Sequence, residues 1–113
     1  MDFDRLSVCF LTTRTDSPDR SASETDAIQD AHMAHLADLH EDGHLLAAGP
    51  VADRHHRGLL LFRAGVEESE QMMLADPAVR AGWFDVKVVS WMVPGGALHF
   101  ASTTFPRSMA EID

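Results

Sequence analysis

Apolar and polar positions fall into blocks along the chain, and the period changes from block to block. Arg5 to Thr13, RLSVCFLTT, is rich in apolar and β-branched residues and reads as a strand. The next stretch, Arg14 to Asp26, has no apolar residue except Ala22 and reads as a long polar connection. Inside it, Ser21 and Glu24 have capping-box spacing: hydroxyl and carboxylate can each accept an otherwise orphaned amide of a first helical turn. From Ser23 to Asp42 the pattern is helical. At ~100° per residue, Ile28, Ala31, His32, His35, Leu36 and Leu39 share one face. Asp26, Asp30, Ala34, Ala37 and Glu41 share the other, and Gly43 is a helix stop.

His44 to Val51, HLLAAGPV, reads as a strand broken at Gly49-Pro50, followed by a polar turn, ADRHHR. Arg57 to Arg63, RGLLLFR, completes a hairpin, and its unbroken apolar run predicts burial on both faces. Val66 to Ala75 is a short helix with acids in its first turn, where the helix dipole favours them. Asp76-Pro77 restarts a helical turn, with Asp as cap and Pro in the first position. Trp83 to Val93 is a final strand. Phe84, Val86, Val88, Ser90 and Met92 lie on one side, and Asp85, Lys87, Val89, Trp91 and Val93 on the other. Pro94-Gly95-Gly96 closes it.

The order β-α-β-β-α-β predicts an α+β, ferredoxin-like fold, an antiparallel sheet with helices on one face. The second face keeps Val89, Trp91 and Val93, so a homodimer packed sheet to sheet is expected. Residues 1–94 form the expected domain. Residues 95–113 form an extension whose Leu98, Phe100 and Phe105 suit docking on the partner or over a pocket.

Composition narrows the function classes. A chain of 113 residues implies one domain, and a formal charge of −9 repels phosphate backbones, so no nucleic-acid partner is expected. Apolar runs such as Gly58 to Phe62 are far too short to span a bilayer. The opening MDFDRLSV lacks a signal-peptide layout. The single cysteine, Cys9, sits in an apolar run and reads as a buried, inert thiol. A cytoplasmic location is the expectation.

These segments together resemble the YCII-related (YciI-like) family. The resemblance is carried by His35-Leu36 with Leu39, Gly43 with Leu45, Gly49-Pro50, Asp76-Pro77 and Val88 to Trp91, in that order and spacing. It covers about residues 5–94. The family is similar in fold to the dimeric α+β barrels, which include muconolactone isomerase-like proteins and small monooxygenases. The resemblance implies a ferredoxin-like dimer, a small-molecule pocket and a catalytic His–Asp pair, which by position is His35 with Asp76. One branch resembles dehydrochlorinases of chlorinated hydroxyquinols. The chain departs from the family pattern in its long polar loop, its C-terminal extension and His32, where relatives often carry another polar residue such as Arg.

Four of the seven histidines fall between His32 and His44. His35 lies on the apolar side of the first helix, so it must be hydrogen-bonded there. It is either a satisfied core histidine or a general base oriented by a carboxylate, with Asp76 the candidate partner. His32 stands one turn earlier on the same face and could line the pocket, together with Gly49, Pro50 and Arg14, the last as an anion contact. His40 and His44 point away and are expected to face solvent. A zinc site from His32, His35 and Asp76 is the rival reading, but no H-E-x-x-H motif or thiolate cluster supports it, so no metal and no cofactor are expected. The leading expectation is a cofactor-independent lyase, dehydrohalogenase or isomerase acting on a small organic molecule. The alternative is a non-catalytic dimeric module that binds such a molecule.

Overall fold

Ser21 caps the first helix as its spacing predicts. Its hydroxyl accepts from the Glu24 amide at 3.1 Å, and the Glu24 carboxylate accepts from the Ser21 amide at 3.2 Å. Two amides at the helix start are thereby satisfied. The helix ends before Gly43, whose φ of 84° is a left-handed conformation that favours glycine. The computed structural model describes residues 1–112. Its elements are β1 (Phe3–Thr13), α1 (Ala22–Glu41), β2 (Leu45–Pro50), β3 (Gly58–Phe62), α2 (Val66–Leu74), α3 (Pro77–Arg80) and β4 (Phe84–Pro94). A short 3-10 turn follows at Met109–Glu111.

The strands form one antiparallel sheet in the order β2-β3-β1-β4, the ferredoxin-like arrangement. β1 is central. It pairs with β3 from Ser7 to Leu11 and with β4 along its whole length, from Phe3 to Thr13. The start of β1 and the end of β4 therefore run on as a two-stranded ribbon. β2 lies at the other edge, where Pro50 costs no ladder bond that a central strand would need.

One face of the sheet carries the core. Cys9, Leu11, Leu60, Phe62 and Phe84 meet Leu39, Leu45, Met73 and Ala78 in a single buried cluster. Gly58 leaves room for Leu11 there: a Cβ at that position would meet the Leu11 side chain at 3.3 Å, so that Leu11 would have to give by a few tenths of an ångström. The other face stays apolar and open. Val8 sits between Leu61 and Val89 across the strands, Phe10 opposes Leu59, and Leu6 opposes Trp91. Leu59 is 41% exposed and Trp91 44% exposed, so within one chain the expected burial of β3 on both faces is not met.

After β4 the chain returns along α1. Arg107 forks to Asp38 and, at 3.1 Å, to Glu41. The Met109 amide donates to Asp30 at 2.9 Å, and Phe105 packs on the edge of the core. Met33 and Ala37, on the same side of α1, are buried. The extension thus lies against a helix of its own chain, while Leu98 and Phe100 remain exposed. Among the described residues no helix is long and apolar enough to cross a membrane.

Candidate active site

Asp76 ends the link between α2 and α3 and caps α3. Proline at the first helical position leaves no amide there, so the Asp76 carboxylate reaches the next one: Oδ1 accepts from the Ala78 amide at 3.1 Å. Oδ2 is left to face α1, and there it accepts from Nδ1–H of His32 at 2.6 Å. The carboxylate is fully buried and His32 is 9% exposed. A buried carboxylate is tolerated only with donors on its oxygens, and among the described residues these are the two it has.

The contact fixes the imidazole tautomer. With the proton on Nδ1 held by the carboxylate, the lone pair of neutral His32 is on Nε2. Among the described residues Nε2 has no hydrogen-bond partner, and no buried polar side-chain atom lacks one, so Nε2 reaches the solvent. The Phe84 ring stands 5.9 Å away, tilted by 55°, and gives the imidazole an apolar wall. Phe84 in turn stacks on Trp83.

His35 takes a different partner. Its Nε2–H donates to the Met72 carbonyl at 2.8 Å, which ties α1 to α2. The expected His35–Asp76 pair does not form. Asp76 at the start of α3 meets His32, one turn nearer the N-terminus of α1, and the Met72 carbonyl takes the position opposite His35. Helical periodicity puts both histidines on one face and does not say which of them meets the carboxylate. The pairing depends on where the start of α3 meets α1, and no local signal in the sequence carries it.

The other candidates are spread around the fold. Arg14 holds Asp16 through two bonds of 2.8 Å and lies 3.5 Å from Asp85. The Asp16 side chain pushes the Arg14 guanidinium above its ordinary value, and Arg14 holds the Asp16 carboxyl below its own. Arg14 is therefore already neutralised by carboxylates of its own chain. The polar loop that follows is pinned down: Arg20 donates to the Ala81 carbonyl and to Ser17 Oγ, closing over the end of α3. Gly49 and Pro50 line an apolar groove of about 320 Å³ with Val8, Leu59, Leu61 and Trp91. That groove lies on the open face of the sheet, whereas His32 and Asp76 lie on the helix side. The structure brings His32 and Asp76 together and separates them from Gly49 and Pro50.

Cys9 lies under the same helices. Burial first, and then the Asp76 carboxylate, push its thiol up to about 12. A thiol of that kind is not a nucleophile at neutral pH. Among the described residues no group of three or more His, Cys, Asp or Glu is arranged to hold a metal ion. His40 is the residue that sequence reasoning missed most clearly. It faces the returning extension rather than solvent, and a sequence pattern gives no sign of which helix that extension will cover.

The family model of the YCII-related domain matches residues 8–92. No curated protein matches the chain. Among solved structures, 5-chloro-2-hydroxyhydroquinone dehydrochlorinase from Burkholderia phenoliruptrix AC1100, in complex with 2,5-dihydroxybenzoquinone, is similar in fold. Its TM-score is 0.52 at 23% identity, with 76% of this chain and 92% of that chain covered. Since the family match runs from Val8 in β1 to Met92 in β4 and takes in part or all of every strand and the helices between them, the chain belongs to the YCII-related domain family.

Proposed function

We propose that the protein is a small-molecule lyase in which His32 is the acid–base group and Asp76 orients it. The observation that carries this reading is the 2.6 Å contact between His32 Nδ1 and a fully buried carboxylate, with Nε2 left free. A carboxylate in that position holds the tautomer and stabilises the imidazolium that forms when Nε2 takes a proton. His35, with its proton on Nε2 and given to Met72, is a positioning residue between α1 and α2 in this reading.

The substrate class proposed is a hydroxylated ring bearing a halide. The solved relative is named as a dehydrochlorinase of a chlorinated hydroxyhydroquinone, and this extends to the chain as part of the proposal. Moving a proton from a ring hydroxyl to the chlorine-bearing carbon makes that carbon tetrahedral. Loss of a second hydroxyl proton to Nε2 then forms a carbonyl, shifts the π electrons and expels chloride. The sum is loss of HCl, with no oxidant or reductant consumed. Arg14, Gly49 and Pro50 enter this proposal only as a rim and a groove apart from the pair. The apolar open face of the sheet supports a homodimer in which a second copy covers that groove.

The test is chloride release from 5-chloro-2-hydroxyhydroquinone and related halogenated hydroquinones. His32→Asn is expected to lower kcat by roughly 10²–10⁴, the usual contribution of a general base. Asp76→Asn, which keeps the α3 cap, should also lower it, whereas His35→Gln should keep it within a few-fold. Turnover that survives His32→Asn would refute the assignment. Binding of these compounds without turnover by the wild type would make the protein a binding module instead.

A further inference from the structure

His40, near the C-terminus of α1, joins two segments through one ring. Its Nδ1 lies 2.7 Å from the Leu45 carbonyl oxygen and its Nε2 lies 3.1 Å from the Thr103 carbonyl oxygen. The ring also stacks on Phe105, with centroids 3.9 Å apart and planes within 8°. A carbonyl oxygen can only accept a hydrogen bond. A neutral imidazole has one N–H, so it can satisfy one of these oxygens and must turn a lone pair on the other. The imidazolium donates to both, through charge-assisted bonds, and as a cation it is also attracted by the Phe105 ring face.

We propose that His40 is a pH-sensitive latch: protonated, it holds the returning segment Thr103–Glu111 on α1, and on losing its proton it lets that segment go. The Leu45 bond is local, five residues away along the chain, so the neutral ring keeps it. The Thr103 contact is the one lost, and with it the stacked Phe105. Since the docked form holds the extra proton, docking is supported at low pH and weakens as pH rises.

The charged groups on the elements that meet at the ring are Asp38, Glu41 and Asp42 at the end of α1, His44 ahead of β2, and Arg107 and Glu111 on the returning segment, where Glu111 accepts from the Arg107 amide at 2.8 Å. Arg107 is held by Asp38 and Glu41, and the Met109 amide by Asp30. Carboxylates and guanidinium groups as classes do not change charge between about pH 6 and about pH 8.5. These contacts are therefore a second clasp that does not respond over that window. His44 is exposed and is the other imidazole in the neighbourhood, so it needs its own variant.

The measurement is amide hydrogen exchange of the whole chain by NMR at about pH 6 and about pH 8.5, corrected for intrinsic exchange, read at Met109, whose amide donates to Asp30 on α1. Protection of that amide is expected to fall roughly tenfold at the higher pH. His40→Gln should remove that ratio and leave protection low at both values. Arg107→Gln should lower protection at both values and keep the ratio, and His44→Gln should keep it too. Equal wild-type protection at the two pH values would overturn the latch, as would a ratio that survives His40→Gln or vanishes in His44→Gln. Should His40→Gln not fold, the imidazole nitrogens of the wild type give the answer. Both must carry protons at about pH 6 while Met109 is protected, and a singly protonated ring in the docked state rejects the proposal.

Discussion

Asp76 accepts from two donors at once, one to start α3 and one to orient His32. The same buried carboxylate acts on Cys9, whose thiol burial already disfavours as an anion. Cys9 therefore keeps its proton in the folded state up to about 12, against a reference value of 9.0. The sign follows directly. Between those values the folded state binds more protons than the unfolded one, so stability present below about pH 9 is lost as pH rises, by ~1.4 kcal/mol per unit at most. Urea unfolding of the wild type should lose about 2 kcal/mol between about pH 8 and about pH 10.5 that Cys9→Ala does not lose. The variant lowers stability at both values by opening a small cavity, so the readout is the difference between the two pH values. Equal pH dependence in the two proteins would mean that the thiol ionises in place, and that Cys9 is less shielded than its complete burial implies.

At the scale of elements, α1 organises the molecule: its start is capped, its middle carries His32 and His35, and its end carries His40. Ser21→Ala removes the acceptor of the Glu24 amide and half of the box, and should lower stability by about 1 kcal/mol, read by thermal or urea unfolding. Loss of less than a few tenths would mean that the polar loop, tied down by Arg20, already holds the helix start. The elements themselves were legible in the sequence because each has a local cause. Ser21 and Glu24 cap a helix, Gly43 needs a left-handed turn, Asp76 and Pro77 start α3, and the alternation from Phe84 to Val88 fits a strand with its inner side toward the core. The partners were less legible, because they depend on where elements cross. Which of His32 and His35 meets Asp76 is decided by an offset of one helical turn between α1 and α3. Whether His40 faces water is decided by a segment more than sixty residues further along the chain.

At the scale of the whole molecule, the open face of the sheet is the feature a single chain leaves unresolved. Val8, Leu61 and Val89 form a cross-strand row, with Leu59 and Trp91 exposed beside it and the Gly49–Pro50 groove at one end. Contiguous apolar surface on a folded chain marks an interface, and a sheet face covered by a second copy of itself satisfies it symmetrically. The core is on the other face, so a second copy would add to a fold that already has its own hydrophobic cluster. This separates association from folding and makes the dimer testable by one change. Trp91→Glu places a charge at the centre of the expected contact, where desolvating it costs several kcal/mol. The wild type should sediment as a dimer at micromolar concentration. Trp91→Glu should sediment as a monomer with its far-UV circular dichroism unchanged, because the Trp91 side chain leaves the helix-side core untouched. A wild-type monomer would end the sheet-to-sheet reading, and so would a Trp91→Glu dimer. In either case the groove at Gly49 and Pro50 would be free to take a ligand directly from solution.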